Sequence, residues 1–210
     1  MVSNKLIVYG LPLAAYLLGS IPWGLVLTRV FAAADIRRCG SGNIGATNVA
    51  RAAGPVLGLA TLGADFFKGW APVALASHLE LPPAAIEPYA VALALLAVLG
   101  HLFPIYMRGR GGGKGVATAA GGFFGLAPLA VLIALGVFGS ALALTRRVSA
   151  GSLAAAAVLP LAVFGATGSA VLCAGGVIVA ALIFVRHADN IRRLRAGTEL
   201  PFSLGAKSKR

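Results

Sequence analysis

The chain has 210 residues, 59% of them hydrophobic and only 11% charged, whereas a soluble domain carries roughly a quarter charged residues, so a water-facing surface cannot be assembled from this list. Its net charge of +12, from 18 Lys and Arg against 6 Asp and Glu, lies in short islands between apolar runs. There is no continuous basic face, which argues against nucleic acid as a partner and for loops that meet anionic lipid or an anionic substrate.

A membrane-spanning helix needs about 20 apolar residues. The first apolar run, 6–34, is too long for a cleaved signal and has no clear small-residue cleavage site. A first span is expected over 5–31, broken by Pro12 and Pro22. Loop 33–53 follows with Arg37, Arg38 and Arg51, then a second span over 54–78 and an acidic link with Glu80 and Glu87. A third span over 89–107 delivers Arg108, Arg110 and Lys114. Basic loops stay in the cytoplasm, which sets the acidic link and the N-terminus outside.

Arg146 and Arg147 form the next basic pair. For them to share the cytoplasmic face, the chain must cross twice between 115 and 145, as short segments 115–127 and 128–145 turning near Pro128. The first is only ~20 Å long as a helix against a ~30 Å hydrocarbon core. It must be tilted, re-entrant or shielded, and Gly121 and Gly125 permit close packing. Residues 151–186 cross twice more, turning at 165–169. The expectation is an all-α membrane bundle, one domain over 1–210, with seven spans and the C-terminus inside. Five spans is the alternative, if 115–127 only dips into the bilayer.

Three islands mix cations with Gly, Asn or Ser, the donors that a phosphate needs. Gly40, Gly42 and Gly45 match GxGxxG in letters, but a dinucleotide fold requires a preceding strand, and here a membrane helix precedes. A plain glycine turn explains Gly40 and Gly42 but not the clustering of Ser41, Asn43, Thr47, Asn48 and Arg51. The second island, Gly111–Gly113 with Lys114 and Gly115, fails as a Walker A loop. Gly115 stands where Ser or Thr would hold magnesium, and Arg108 stands where a glycine is required. It still joins backbone donors to an ammonium ahead of a helix start. A positive-inside anchor would need the cations without the glycines.

The third island spaces Arg186, His187, Asn190 and Arg193 along one helix face. A basic helix lying on anionic lipid accounts equally well for Arg192, Arg193, Arg195, Lys207, Lys209 and Arg210.

Asp65 and Lys68, at i and i+3 inside the second span, are ionisable groups in a membrane segment. They read as a structural pair that also orients the loops, and His101 reads as a packed, hydrogen-bonded histidine. Two cysteines, Cys39 and Cys173, make neither a disulfide framework nor a zinc site. Six scattered carboxylates argue against a two-metal site, and no Ser or Cys sits in a nucleophile motif. No metal and no cofactor are expected. An enzyme of these parts would position phosphorylated reactants and leave reactivity to the substrate.

Taken together, GSGNIGATNVAR at 40–51, DFFKG at 65–69, GHLFPIY at 100–106 with GGKGVAT at 112–118, RRVSAGSL at 146–153 and RHADNIRRLRAGTE at 186–199 resemble a known family. It is the bacterial membrane glycerol-3-phosphate acyltransferases that use acyl-phosphate donors (PlsY-type). One departure is that Arg110 and Lys114 flank three glycines, where that family usually has two lysines around a glycine pair.

The resemblance implies acyl transfer from acyl phosphate to the 1-hydroxyl of glycerol 3-phosphate, giving lysophosphatidic acid and phosphate in phospholipid synthesis. It also implies seven spans and a site on the cytoplasmic face of the inner membrane. Carried over by motif position, Ser41, Arg51, Lys114, Ser149, His187 and Asn190 surround the two phosphates. Gly40, Gly42, Asn43, Thr47, Asn48, Gly112, Gly113, Gly115, Arg193 and Glu199 support them. Membrane lipid and the soluble enzyme that makes acyl phosphate are the implied partners. The His-x4-Asp pair of acyl-CoA-dependent enzymes is absent, since Pro83, Tyr106 and Arg192 follow the three histidines at that spacing. A transporter of an organic phosphate is the rival from another class, and it predicts donors spread through the membrane depth. A lipid-binding structural protein would have no use for glycine-rich loops.

Overall fold

The apolar runs fold into helices, and prolines mark several of their starts and one bend, at Pro22. The computed structural model describes residues 2–202, and among these there is no β-strand. The first run gives α1 (Val2–Ser20) and α2 (Trp23–Ala32), bent by 45° at the Ile21–Pro22 break. Pro12, expected to interrupt the run, stays inside α1. A proline has no N–H for the carbonyl four residues back. Here that carbonyl is Val8 O, and the Tyr89 hydroxyl donates to it at 2.7 Å. With the lost bond replaced from a neighbouring helix, α1 continues.

The remaining helices are α3 (Ala46–Ala53), α4 (Pro55–Ala76), α5 (Pro83–Leu102), α6 (Val116–Leu126), α7 (Pro128–Thr145), α8 (Val148–Thr167), α9 (Ala170–Arg186) and α10 (Ala188–Arg195). α5 starts at Pro83 rather than near 89, because proline is well placed in a first helical turn. The acidic link is correspondingly shorter, and Glu87 lies on the helix. α6 and α7 meet at Pro128, as the basic-loop parity requires.

Three segments are long and apolar enough to cross a membrane: α5 extended to Met107, α7 and α8. If each bent pair, α1 with α2 and α9 with α10, is one span, the number is five. α4 has 22 residues but carries Asp65 and Lys68, and α6 has 11; neither meets that measure alone.

The short α6 packs chiefly on α4 and α5. A β-carbon at Gly121 would strike the Phe66 carbonyl, and one at Gly69 would strike that of Thr118, so only glycine permits the approach of α4 and α6. Phe123 of α6 is fully buried in the main core with Val98, Leu102, Val163 and Val179. On the outside, Leu6, Leu13, Leu132, Leu135, Leu144 and Leu161 are each more than half exposed. Apolar side chains exposed on α1, α7 and α8 alike are solvated by lipid, not water. Lys207, Lys209 and Arg210 lie outside the described residues.

Candidate active site

Asn48 builds the first island. After the left-handed residue Ala33 (φ 47°) the chain makes a 3-10 turn at Ile36–Arg38, whose first residue follows Asp35. The Asp35 carboxylate accepts from Arg37 N at 3.1 Å and Arg37 Nε at 2.8 Å. Gly40 (φ 56°) and Gly42 (φ 69°) then reverse the chain, and at Gly40 a β-carbon would also strike Asn48 Oδ1. Buried Asn48 donates to Ile36 O (3.3 Å), Cys39 O (2.9 Å) and Asn43 O (2.9 Å), and accepts from Ser41 N (2.9 Å). Asn48, expected in support of the phosphate site, spends its amide on the loop's own backbone. Asn43 Oδ1 accepts from Gly45 N at 2.8 Å, which starts α3. Ser41 is exposed, and Thr47 lies half-buried on α3.

The second island is a glycine hairpin seated between α5 and α9. Arg108, Gly109, Gly111 and Gly115 all have positive φ, a region costly for most side chains. Gly112 and Gly113 are buried. Arg186, at the end of α9, donates to Gly112 O at 2.8 Å and Gly113 O at 3.2 Å, and its guanidinium lies 5.8 Å over the Phe103 ring. The hairpin thereby delivers Lys114 Nζ to within 2.5 Å of Asn190 Oδ1. Arg110 is exposed, so Lys114 is the hairpin cation that reaches the third island.

Glu199 joins the third island to the rest. Its Oε1 accepts from Ser149 Oγ of α8 at 2.7 Å and from Asn190 Nδ2 of α10 at 2.6 Å, and its Oε2 accepts from Arg193 Nε at 2.7 Å. A carboxylate repels phosphate, so Glu199, expected in support of the site, acts there by fixing the donors. Arg51 of α3 donates to Leu200 O (3.4 Å) and Pro201 O (3.0 Å), and Phe202 N donates to Arg146 O at 2.7 Å. These strap carbonyls escaped the sequence reading, because a backbone acceptor has no residue-type signal. His187 is buried at the α9–α10 joint, with Nδ1 2.8 Å from Ile183 O. That contact takes the N–H of the neutral ring and leaves Nε2 as the acceptor.

The electrostatics follow from burial and crowding. Burial pulls the Lys114 ammonium down to about 8; Glu199 opposes this, while Arg193, Arg51 and Arg186 add to it. His187 is pulled down to about 4, by burial first and then by Lys114, so its ring is neutral at pH 7. Burial works to raise the Glu199 carboxyl, but hydrogen bonds from Ser149, Asn190 and Arg193 hold it below its ordinary value. Four cations around one carboxylate leave an excess of positive charge for an anion. Arg51, Lys114, His187, Asn190 and Arg193 thus come from all three islands to one end of the bundle, where Ser149 of α8 joins them, while Ser41 stays on the first island's exposed loop.

A family model described as glycerol-3-phosphate acyltransferase matches residues 9–197. The glycerol-3-phosphate acyltransferase of Geotalea daltonii is 48% identical over 202 residues, spanning 96% of this chain and 99% of that protein. The Geobacter sulfurreducens protein of the same name is 47% identical over 199 residues, spanning 95% and 98%. Among solved structures, the chain is similar to the crystal structure of PlsY (YgiH), an integral membrane glycerol 3-phosphate acyltransferase, in its glycerol 3-phosphate form. The TM-score is 0.86 at 35% identity, over 93% of this chain and 96% of that one. The lysophosphatidic acid form of PlsY gives 0.84 at 35% identity, over 94% and 96%. Relatives this similar over nearly their whole length, together with a common all-helical fold, leave one conclusion: the chain belongs to the glycerol-3-phosphate acyltransferase family and is an integral membrane acyltransferase of the PlsY kind.

Proposed function

We propose that the protein transfers a fatty acyl group from acyl phosphate to the 1-hydroxyl of glycerol 3-phosphate, without a covalent acyl-enzyme. The observation that carries this reading is the continuous polar network from Lys114 through Asn190 and Glu199 to Ser149 and Arg193, with Arg51 and Arg186 beside it. Two phosphorylated substrates need such a concentration of half-buried positive charge.

In the reaction, the glycerol oxygen forms the new ester bond to the acyl carbon while the bond from that carbon to the phosphate oxygen breaks. The hydroxyl proton passes to a phosphate oxygen. Acyl phosphate is a mixed anhydride and needs little activation, so positioning supplies most of the effect, up to about 7–11 kcal/mol for well-oriented reactants. Arg51 and Lys114 neutralise phosphate charge. Ser41 and Asn190 donate hydrogen bonds, Ser149 keeps Glu199 in place beside them, and glycine-loop N–H groups not bonded within the loops complete the cradle. Gly40, Gly42, Gly112, Gly113 and Gly115 let the backbone come close enough, while Asn43, Thr47 and Asn48 hold the first loop. His187, whose low value makes it a weak base, is favoured for orientation over proton transfer.

The reading extends to topology. Seven spans follow if α4 and α6 also cross, with α1 and α2 as one span and α10 lying on the surface. The N-terminus is then outside, and the site faces the cytoplasm of the bacterial inner membrane, where a soluble enzyme can supply acyl phosphate. The chain acts as a single domain. Its donors gather at one end rather than through the membrane depth, which disfavours a transporter.

Purified protein in detergent, given acyl phosphate and labelled glycerol 3-phosphate without CoA, is expected to form lysophosphatidic acid. Turnover only with acyl-CoA would overturn the donor. For topology, single cysteines at the exposed positions Arg38, Arg110 and Arg195 are expected to react with a membrane-impermeant label from the same side.

A further inference from the structure

Asp65, Lys68 and His101 are 3%, 1% and 4% exposed, and the proposed chemistry uses none of them. Lys68 Nζ lies 2.8 Å from Asp65 Oδ1 and donates at 2.9 Å to Ile21 O, a carbonyl at the α1–α2 break. His101 Nδ1 is 3.6 Å from the same Asp65 oxygen, beyond hydrogen-bonding distance, so the ring is packed beside the ion pair rather than bonded to it. The other edge of that ring meets the glycine hairpin. Gly113 lies so close that a β-carbon there would run into Nε2, Cε1 and Cδ2 of His101, and Gly113 N donates to His101 O at 3.1 Å. Gly113 has no left-handed φ, unlike Gly111 and Gly115. Its backbone would accept a side chain, and the imidazole forbids one. Arg186 clamps the hairpin by donating to Gly113 O.

We propose that His101, buried beside the Asp65–Lys68 pair, is a positioning residue: its imidazole is the floor on which Gly113 rests, and so it sets where Lys114 enters the site. This rests on the reading of Lys114 as a phosphate-binding cation. The hairpin's height above α5 then follows from how far the ring's edge reaches, and the buried ion pair of α4 acts on catalysis through the imidazole packed beside it.

The test is steric complementation. Gly113→Ala should lower kcat/KM at least tenfold, mostly by raising KM for glycerol 3-phosphate, and His101→Ala severalfold. The double variant should recover at least half of the G113A loss on a logarithmic scale, because the new methyl takes the place of the ring. Gly112→Ala is the control: its β-carbon would strike the Leu102 and His101 carbonyls, which H101A leaves in place, so no rescue is expected. Asp65→Asn should raise the same KM and add nothing in the H101A background.

If H101A does not fold, His101→Ser removes the ring and takes its place in the cycle. A nitroxide on Arg110→Cys, with Cys39 and Cys173 changed to Ser, reads the hairpin without turnover: G113A should mobilise it and the double variant restore it. Losses that simply multiply, or a nitroxide that is not restored, overturn the proposal. Restored mobility in a protein that shows no acyltransferase activity upholds the positioning and sinks the functional reading instead.

Discussion

The two ends of the bundle, about 30 Å apart along the 20 residues of α5, are built on different principles. At the far end the α8–α9 turn needs one left-handed glycine, Gly168, and Ser169 caps α9 while donating to Glu87 at 2.5 Å. At the site end, Gly40, Gly42, Gly109, Gly111, Gly115 and Gly197 all have positive φ, as do the non-glycine residues Ala33, Arg108 and Arg146. That end also holds one buried carboxylate among half-buried cations. The far end closes helices with local bonds. The site end holds unfavourable backbone and charge in place by contacts from distant parts of the chain, and such cost persists where the surroundings over-determine it.

The contrast breaks most sharply at the cations. Lys114→Ala and Arg51→Ala are each expected to lower activity tenfold or more with the melting temperature nearly unchanged, measured by single-substrate kinetics and a thermal melt. Activity within twofold of wild type for both would remove the site from this end. Glu199→Gln is expected to cost about tenfold and also to lower the melting temperature by a few degrees, because charge-assisted bonds from Arg193 and Ser149 weaken together.

The pH profile sharpens the comparison. With Lys114 pulled down to about 8, its cation is present below that pH and lost as pH rises through it. KM for glycerol 3-phosphate should therefore climb above about pH 8. Lys114→Arg should flatten that limb, and E199Q, which removes the countercharge, should move it to lower pH. A limb that stays put in K114R belongs to another group. His187→Gln is expected to keep most of its turnover, and a hundredfold loss would restore the histidine as base. The smallest effects belong to the far end, where Ser169→Ala and Glu87→Gln should stay within twofold in activity.

Much of the fold was legible in local pattern. The α6–α7 boundary at Pro128, the turn before Ala170 and the basic helix after Arg186 follow from apolar length, charge and proline punctuation. Pro12 misled, because the bond that rescues α1 comes from Tyr89, 81 residues away. The candidate site was legible as a set of residue types and less so as a set of roles. Asn48 and Glu199 carry the chemistry of ligand groups, yet their partners in the structure are loop backbone and neighbouring side chains.

By itself, then, the sequence determined that the chain is a helical membrane protein, roughly where several of its helices break, and which islands combine cations with glycine and amide groups. Those properties depend on the apolarity, proline and glycine of neighbouring residues. Only the tertiary structure decided that Lys114 meets Asn190, that Arg51 reaches carbonyls about 150 residues away, and that an imidazole beneath Gly113 sets the hairpin. Those contacts join distant segments, and several use backbone atoms that every residue shares, so no pattern of side chains could announce them.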